Sequence, residues 1–512
     1  MKKRFYTTQL LRRCGVLLLV LSLLLAFGGC AAKSNDMGAA APDAENMVGI
    51  SPDENGAYDT ATNDGMPIFV ENPFIATQEE PISTFSADVD TASYSYFRKL
   101  VNSGYNMENL KYFGAQFRTE EFINYFRYEA NAPKEGELFG VTTAIAPCPW
   151  NSETLLMRLT LQAESAIQSE GNNLVFLIDV SGSMASSDKL PLLKKTFSYL
   201  VSQLDENDRV SIVTYSGKER VVLSGCPGNQ GEKILKAINS LEANGSTNGQ
   251  AGLEKAYKLA QDHMIDGGNN RIIMASDGDL NVGISSAEEL KAFVEQKRDL
   301  GIYLSILGFG TGNYRDSNME SLADNGNGVY YYIDGETEAE RIFGSQLLST
   351  LHTVANDVKL QIAFDPAAVA SYRLVGYENR IMNKEDFTDD TKDAGEVGAG
   401  HQVTVCYELT PAVKAAETDE WMTLKVRYKP NGATESVENQ YSIGKADQKE
   451  PDGDFRFITA LIETGMVFHD SKYLGDINLH SILDLLNQLD LSQDPYREEF
   501  KSLLQKITAQ TQ

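Results

Sequence analysis

Short apolar runs alternate with amphipathic stretches between residues 174 and 351. The apolar runs predict strands, and they read LVFLID (174–179), RVSIVTY (209–215), VVL (221–223), RIIMAS (271–276), IYLSILGF (302–309) and VYYYI (329–333). Between them, apolar residues recur at helical spacing, and Ser285 with Glu288 forms a capping-box pattern that predicts a helix through Leu300. This alternation predicts an α/β domain over residues 171–354 with a doubly wound, mostly parallel sheet.

The flanking regions follow other patterns. Segments at 154–162, 358–364, 401–409 and 421–429 alternate apolar and polar residues, which predicts a β-sandwich built from both flanks, over residues 136–170 and 355–450. Residues 76–135 are predicted to be helical, because Tyr94, Phe97, Leu100 and Val101 share one helix face. A second helical segment is predicted over residues 451–512.

The N-terminus is typical of an export signal. Residues 1–30 begin with basic residues, continue with the apolar run 15–27, and end in Gly28-Gly29-Cys30. Small residues before a cysteine resemble a bacterial lipobox, so we expect lipidation of Cys30 and attachment to a membrane. An uncleaved anchor or a plain secretory signal is the alternative, and each version exports the chain. Residues 31–75 are polar and acidic, which predicts a flexible tether.

Composition excludes several functions. The formal net charge of -27 argues against a nucleic-acid partner, which requires a basic surface. Beyond Cys14 and Cys30, only Cys148, Cys226 and Cys406 remain, so neither a disulfide framework nor a structural zinc site is expected.

Oxygen-bearing side chains follow the predicted strands at one edge of the sheet. Asp179-Val180-Ser181-Gly182-Ser183 ends the first strand, Asp277-Gly278-Asp279 ends another, and Gly245-Ser246-Thr247-Asn248 forms a loop between them. Ligands of such sheets bind at the C-terminal ends of the strands. Hard oxygen ligands favour Mg²⁺, Mn²⁺ or Ca²⁺ over zinc. The alternative is that these residues only cap helices and turns.

The DxSxS pattern with a loop threonine and a strand-terminal aspartate resembles the metal-ion-dependent adhesion site of von Willebrand factor A domains. A wider resemblance, over most of residues 80–512, is to the YfbK-like von Willebrand factor A lipoproteins. The segments that carry it are FSADVDTASYSYFRKLV, EEFINYFRY, the stretch from NLVFLIDVSGSM to LGFGTGNY, GYENR and DDTKDAGEVGAGH.

The resemblance implies a metal site at five positions and no catalysis. It implies that Ser181 and Ser183 bind the ion directly, that Thr247 binds directly or through water, and that Asp179 and Asp277 act partly through water. Mg²⁺ is the expected ion, with a carboxylate of a protein partner at the remaining position. Two alternatives are a metal-dependent hydrolase of envelope substrates, with Asp279 as its base, and a structural subunit of an envelope complex.

Three other motifs carry less weight. Asp88-Val89-Asp90-Thr91 matches a phosphohydrolase pattern, but residues 83–87 make a poor apolar strand before it, so Asp90 or Thr91 is predicted to cap a helix through Leu100. Residues 308–312 predict a tight turn rather than a nucleotide loop. Residues 330–332 predict an edge or core strand rather than a sugar-binding platform.

Overall fold

The computed structural model describes residues 69–165, 169–245, 250–278, 287–310 and 316–510. The predicted signal peptide with Cys30, most of the tether, and the capping serine Ser285 lie outside these residues. Within the described ranges, no helix has the length and apolar character needed to cross a bilayer.

The strands are β1 (Ile75–Ala76), β2 (Ile82–Ser86), β3 (Phe139–Pro147), β4 (Leu155–Ala163), β5 (Asn172–Asp179), β6 (Arg209–Tyr215), β7 (Arg220–Pro227), β8 (Asn269–Ser276), β9 (Ile302–Phe309), β10 (Tyr330–Ile333), β11 (Thr353–Phe364), β12 (Val369–Val375), β13 (Gly395–Gly398), β14 (Gln402–Pro411), β15 (Glu420–Pro430) and β16 (Val437–Gly444).

The α-helices are α1 (Ala92–Asn102), α2 (Met107–Tyr112), α3 (Thr119–Asn124), α4 (Leu190–Val201), α5 (Gly231–Asn239), α6 (Gln250–Asp262), α7 (Ala287–Arg298), α8 (Asp316–Asn325), α9 (Glu336–Glu340), α10 (Leu347–Leu351), α11 (Gly453–Phe468), α12 (Leu479–Asn487) and α13 (Pro495–Gln510). A π-helical turn, Arg341–Ser345, joins α9 to α10.

The central sheet has the strand order β10-β9-β8-β5-β6-β7. Its pairs are parallel except for the edge strand β7, which runs antiparallel to β6. Alternate residues of β5 face opposite cores: Phe176 packs with α4, where its ring stacks on Phe197 at 4.2 Å, and Leu177 belongs to the core beneath α6. Because both faces are covered, the strand sequences are continuously apolar, and the predicted doubly wound α/β fold is confirmed.

Two antiparallel sheets form a sandwich from segments on both sides of the central sheet. One has the order β1-β12-β14-β4-β3, and the other has the order β13-β11-β15-β16 with β2 also paired to β11. The sheets pack face to face through aromatic side chains, since the ring of Phe364 on β11 stacks on Tyr372 at 4.2 Å and meets Tyr407 edge-on at 5.6 Å. The central α/β unit is therefore inserted between β4 and β11 of this sandwich.

The N-terminal and C-terminal helices pack together. Phe97 of α1 lies 5.4 Å from Phe468 of α11, and Phe457 of α11 lies 5.7 Å from Phe500 of α13, measured between ring centroids. The buried guanidinium of Arg98 joins this helical layer to the central unit. It contacts Asp334 at 2.6 Å and Glu338 at 2.7 Å in the central unit and Glu499 of α13 at 3.0 Å.

The structure corrects one expectation for residues 83–91 and confirms another. The segment with a weak apolar pattern forms β2, because its polar side chains find partners in the sandwich: Ser83 bonds the Tyr407 hydroxyl at 2.8 Å. Thr91 is the N-cap residue of α1, as the sequence predicts, although its side chain forms no capping hydrogen bond. Asp90 instead accepts a hydrogen bond from the Tyr330 backbone N–H at 3.1 Å and pairs with Arg380.

Arg380 of the GYENR segment joins three parts of the fold. Its guanidinium lies 2.6 Å from Asp324 and 2.8 Å from Glu320, both on α8, and 3.4 Å from both Asp88 and Asp90. The phosphohydrolase-like aspartates are therefore members of a structural ion-pair network. Residues 330–332 form a strand, as the sequence predicts, at the edge of the central sheet. Gly310 has a positive φ of 77°, and residues 311 and 312 of the predicted turn lie outside the described residues.

Candidate metal centre

The turn after β5 is shaped by the first aspartate of the DxSxS motif. Asp179 is fully buried, and its carboxylate accepts a hydrogen bond from the Ser181 backbone N–H at 2.8 Å. This contact folds the chain back, so that the hydroxyl oxygens of Ser181 and Ser183 lie 2.9 Å apart. Ser181 is buried, whereas Ser183 is exposed. The two hydroxyls thus lie together at the boundary between the protein core and solvent.

The loop that carries Thr247 is fixed against this turn up to Gly245. The Asn244 N–H donates to the Val180 carbonyl at 2.6 Å, and the Gly182 N–H donates to the Gly245 carbonyl at 3.0 Å. Gly245 has a φ of 93°, a conformation that favours glycine. Thr247 itself lies outside the described residues, but the chain two residues before it is bonded to the DxSxS turn.

Asp277 lies at the end of the neighbouring strand. The β5–β8 register pairs Ile178 with Ala275, so Asp179 and Asp277 emerge at the same edge of the sheet. The Oδ1 atom of Asp277 is buried and accepts no hydrogen bond from any residue that the structure describes. Its Oδ2 atom lies 2.8 Å from the Nζ atom of Lys189, which precedes α4.

Lys189 reaches this carboxylate by passing Gly310. A Cβ atom built at Gly310 would lie 2.3 Å from the Lys189 Cε atom, so a side chain there would block the path of the lysine. The Gly310 carbonyl accepts a hydrogen bond from the Tyr332 hydroxyl at 2.8 Å, which holds Gly310 in place after β9. The absence of a side chain at Gly310 therefore makes room for the Lys189 side chain beside Asp277.

A buried tyrosine lies next to Asp179 at the same edge of the sheet. Tyr215 ends β6 opposite Asp179, and its side chain is fully buried. Burial raises the pKa of Tyr215 well above its ordinary value, and the charges of Asp179 and Asp277 raise it further. The hydroxyl therefore keeps its proton at neutral pH and adds no charge to the site.

Four of the five predicted ligands are thus carried on two adjacent strand ends: Asp179, Ser181 and Ser183 on one, and Asp277 on the other. Thr247 and the alternative base Asp279 lie outside the described residues. The donor set of carboxylate and hydroxyl oxygens, with a buried Asp277 oxygen that lacks a hydrogen bond, fits a hard divalent cation. Lys189 was not predicted, because its contact joins residues 88 positions apart and no local pattern marks it.

Comparison with known protein families gives three matches. The von Willebrand factor type A domain model matches residues 173–345, and a model described as "von Willebrand factor" matches residues 62–158. A model described as "Uncharacterized protein YfbK, C-terminal" matches residues 349–509.

Among individual proteins, YfbK of Escherichia coli K12 is 38% identical over 465 residues, which span 85% of this chain and 80% of that protein. The chain belongs to the YfbK family. This confirms the resemblance to YfbK-like von Willebrand factor A proteins that the sequence motifs indicated. Von Willebrand factor A domains commonly bind a divalent metal and mediate contacts between proteins.

More distant similarities are confined to part of the chain or are weak. Human inter-alpha-trypsin inhibitor heavy chain H3 is 30% identical over 179 residues, which are 33% of this YfbK-family chain and 20% of the human protein. A solved von Willebrand factor type A structure from Catenulispora acidiphila is 17% identical with a TM-score of 0.42, and the match covers 71% of this chain and 88% of that one.

Proposed function

We propose that this protein is a non-enzymatic lipoprotein of the bacterial cell envelope that binds a protein partner through a divalent cation. Asp179, Ser181, Ser183, Thr247 and Asp277 would hold the ion, with Mg²⁺ preferred over Mn²⁺ or Ca²⁺. Lipidation of Cys30 would anchor the chain to the membrane, and residues 31–75 would tether the folded part.

The observation that carries the proposal is the arrangement of oxygen atoms at the ends of β5 and β8. Two hydroxyl oxygens 2.9 Å apart lie at the same edge of the sheet as the buried Asp277 Oδ1 atom, which accepts no hydrogen bond from the described residues. When bound, the cation would act as a Lewis acid toward a carboxylate of the partner. The chain's own residues would orient the ion: Asp179 holds the turn, and exposed Ser183 leaves the site open to solvent.

Isothermal titration of the full chain with Mg²⁺ tests the metal site. We expect one ion per chain and a higher melting temperature with Mg²⁺, because a ligand that binds only the folded state stabilises it. Asp179→Ala and Ser181→Ala should abolish both effects, and Ser183→Ala should do so with less risk to folding, since that side chain is exposed. Ser202→Ala, an exposed serine after α4, is the matched control. A wild-type chain that binds no divalent ion would refute the proposal.

A second experiment tests the partner. The chain and its Ser183→Ala variant are used to capture proteins from envelope extracts, with Mg²⁺ or with a chelator. The proposal predicts a partner that is retained only by the wild type and only with metal. Capture that survives both chelation and the substitution would instead indicate a structural subunit whose contacts do not involve the ion.

A further inference from the structure

Three carboxylates outside the candidate metal centre converge beside β13. One oxygen each from Asp357, Asp393 and Glu396 lies within 4.8 Å of the others. Oxygen atoms that all lie about 2.4 Å from one ion are separated by no more than about 4.8 Å, and 2.3–2.6 Å is the usual Ca²⁺–oxygen distance. Two of these residues belong to the DDTKDAGEVGAGH segment, which has no part in the first site.

The backbone around the cluster is specialised. Asp357 has a φ of 53°, in the left-handed region, at an irregularity in the pairing of β11 with β15. Its Oδ1 atom accepts a hydrogen bond from the Ala394 N–H at 3.3 Å, which holds the loop before β13 against the irregular strand. Gly395 packs closely on the segment after β2, because a Cβ atom there would lie 2.0 Å from the Ala87 carbonyl oxygen. The fold thus brings the acidic loop onto β11.

Glu396 supplies an independent indication of a ligand. Glu396 is only 6% exposed, and its Oε1 atom has no hydrogen-bond partner among the described residues. Buried carboxylate oxygens normally accept hydrogen bonds, so an orphaned one requires an explanation. Burial raises the pKa of Glu396 well above its ordinary value, and the charges of Asp393 and Asp357 raise it further.

The nearby cations neutralise only the other two carboxylates. Lys429 lies 2.6 Å from Asp357 Oδ2, and Arg298 lies 2.6 Å from Asp393 Oδ2. Within the described residues, neither cation forms an ion pair with Glu396. Arg298 ends α7 of the central unit, so the cluster lies where that unit meets the sandwich.

We propose that Asp357, Asp393 and Glu396 form a second divalent-cation site, with Ca²⁺ as its ion. The ligand set contains only hard oxygen atoms, which Ca²⁺ prefers, and a cation there would satisfy the orphaned Glu396 oxygen. The ion would link β11, the loop before β13 and, through the Asp393–Arg298 pair, helix α7. This site would fix the orientation of the central unit on the sandwich, and it does not depend on the function proposed above.

The test uses the full chain with Ser183→Ala, which disables the first site, and Ca²⁺ alone as the probe. Isothermal titration should still detect one Ca²⁺ per chain. Adding Glu396→Gln should weaken this binding by about tenfold or more, because it removes a charged ligand without changing the size of the side chain. Glu385→Gln, an exposed acid on the preceding turn, should bind as before.

Terbium luminescence gives a second measurement. Tyr303, which interacts electrostatically with Glu396, should sensitise bound Tb³⁺, and Ca²⁺ should displace the emission. Should Glu396→Gln fail to fold, Asp393→Asn changes a more exposed side chain and makes the same test. The proposal is overturned if the Ser183→Ala chain binds no Ca²⁺ at millimolar concentration, or if the ligand substitutions bind Ca²⁺ as tightly as Glu385→Gln.

Discussion

Replacing Lys189 by methionine should separate its two roles, in folding and in metal binding. The Nζ atom lies 2.8 Å from Asp277, and the two side chains are 12% and 0% exposed. Removing one partner of a buried ion pair costs about 3–5 kcal/mol. Because the lysine retains some contact with solvent, we expect a loss near the lower limit, about 3 kcal/mol of unfolding free energy without metal. Methionine keeps an apolar chain beside Gly310, so the loss reports mainly on the charge.

The same substitution should tighten Mg²⁺ binding. An ion that approaches Asp277 must displace or tolerate the ammonium group, and the methionine variant removes that competition. If Mg²⁺ binding restores the full ~3 kcal/mol of unfolding free energy that Lys189→Met loses, the affinity of the variant for Mg²⁺ rises by about 100-fold. This conversion uses about 1.4 kcal/mol for each factor of ten. Chemical denaturation in a chelator measures the first effect, and titration calorimetry measures the second.

Lys195→Met in α4, the helix that Lys189 precedes, is the matched control. Lys195 pairs with Glu336 at the surface, with side chains that are 57% and 55% exposed. Such pairs contribute about 0–1 kcal/mol, so neither stability nor affinity should change much. The explanation of Lys189 as a competing cation fails if Lys189→Met binds Mg²⁺ no more tightly than Lys195→Met.

Three further predictions concern the Arg380 ion pairs, the buried carboxyl of Glu463 and the loop at Gly245. Arg380→Met should lower the unfolding free energy by about 3–5 kcal/mol, measured by denaturant unfolding, because it removes the guanidinium that pairs with the buried carboxylates of Asp88 and Asp90. A loss below about 1 kcal/mol would contradict the importance of this network. Burial raises the pKa of Glu463 in α11 to about 7, so the folded state loses stability as pH rises from the unfolded value near 4.5 through 7. Glu463→Gln should therefore be more stable than wild type at pH 8 and similar at pH 4, as thermal unfolding at both pH values will test. Gly245→Ala should weaken Mg²⁺ binding in calorimetry, since its Cβ would lie 2.6 Å from the Ser216 hydroxyl at a positive φ; unchanged affinity would mean that this loop does not position a ligand.

The central sheet was predictable because its strands are buried on both faces. The segment RVSIVTY coincides with β6 from Arg209 to Tyr215, where every residue after Arg209 is buried and three of the seven residues are valine or isoleucine. The DxSxS turn was predictable for another reason. Its contacts are local, such as the Asp179–Ser181 bond between residues two positions apart, so the sequence itself contains both partners.

Long-range contacts account for what the sequence did not predict. Asp88 and Asp90 pair with Arg380 about 290 residues away, and no pattern near either aspartate indicates this partner. The strand β2 was missed because its sequence is largely polar. Its polar groups form hydrogen bonds with sandwich strands that are distant in sequence. The carboxylate cluster depends on an irregular backbone at Asp357. Aspartate adopts a positive φ more readily than most residues, but a single aspartate does not predict one.

Insertion of the central unit within the sandwich has a consequence for how the chain acquires its structure. Strand β4 pairs with β14 along its length, and the paired hydroxyls of Thr160 and Thr404 belong to residues 244 positions apart. During synthesis from the N-terminus, the β3–β4 hairpin is complete long before its partner strand exists, and it exposes an unpaired edge throughout that interval. The α/β unit between them contains its own strands and can fold first. The pairing of β14 with β4 is then the late step at which aggregation competes with folding. We therefore expect chaperones to bind nascent chains shorter than about 400 residues.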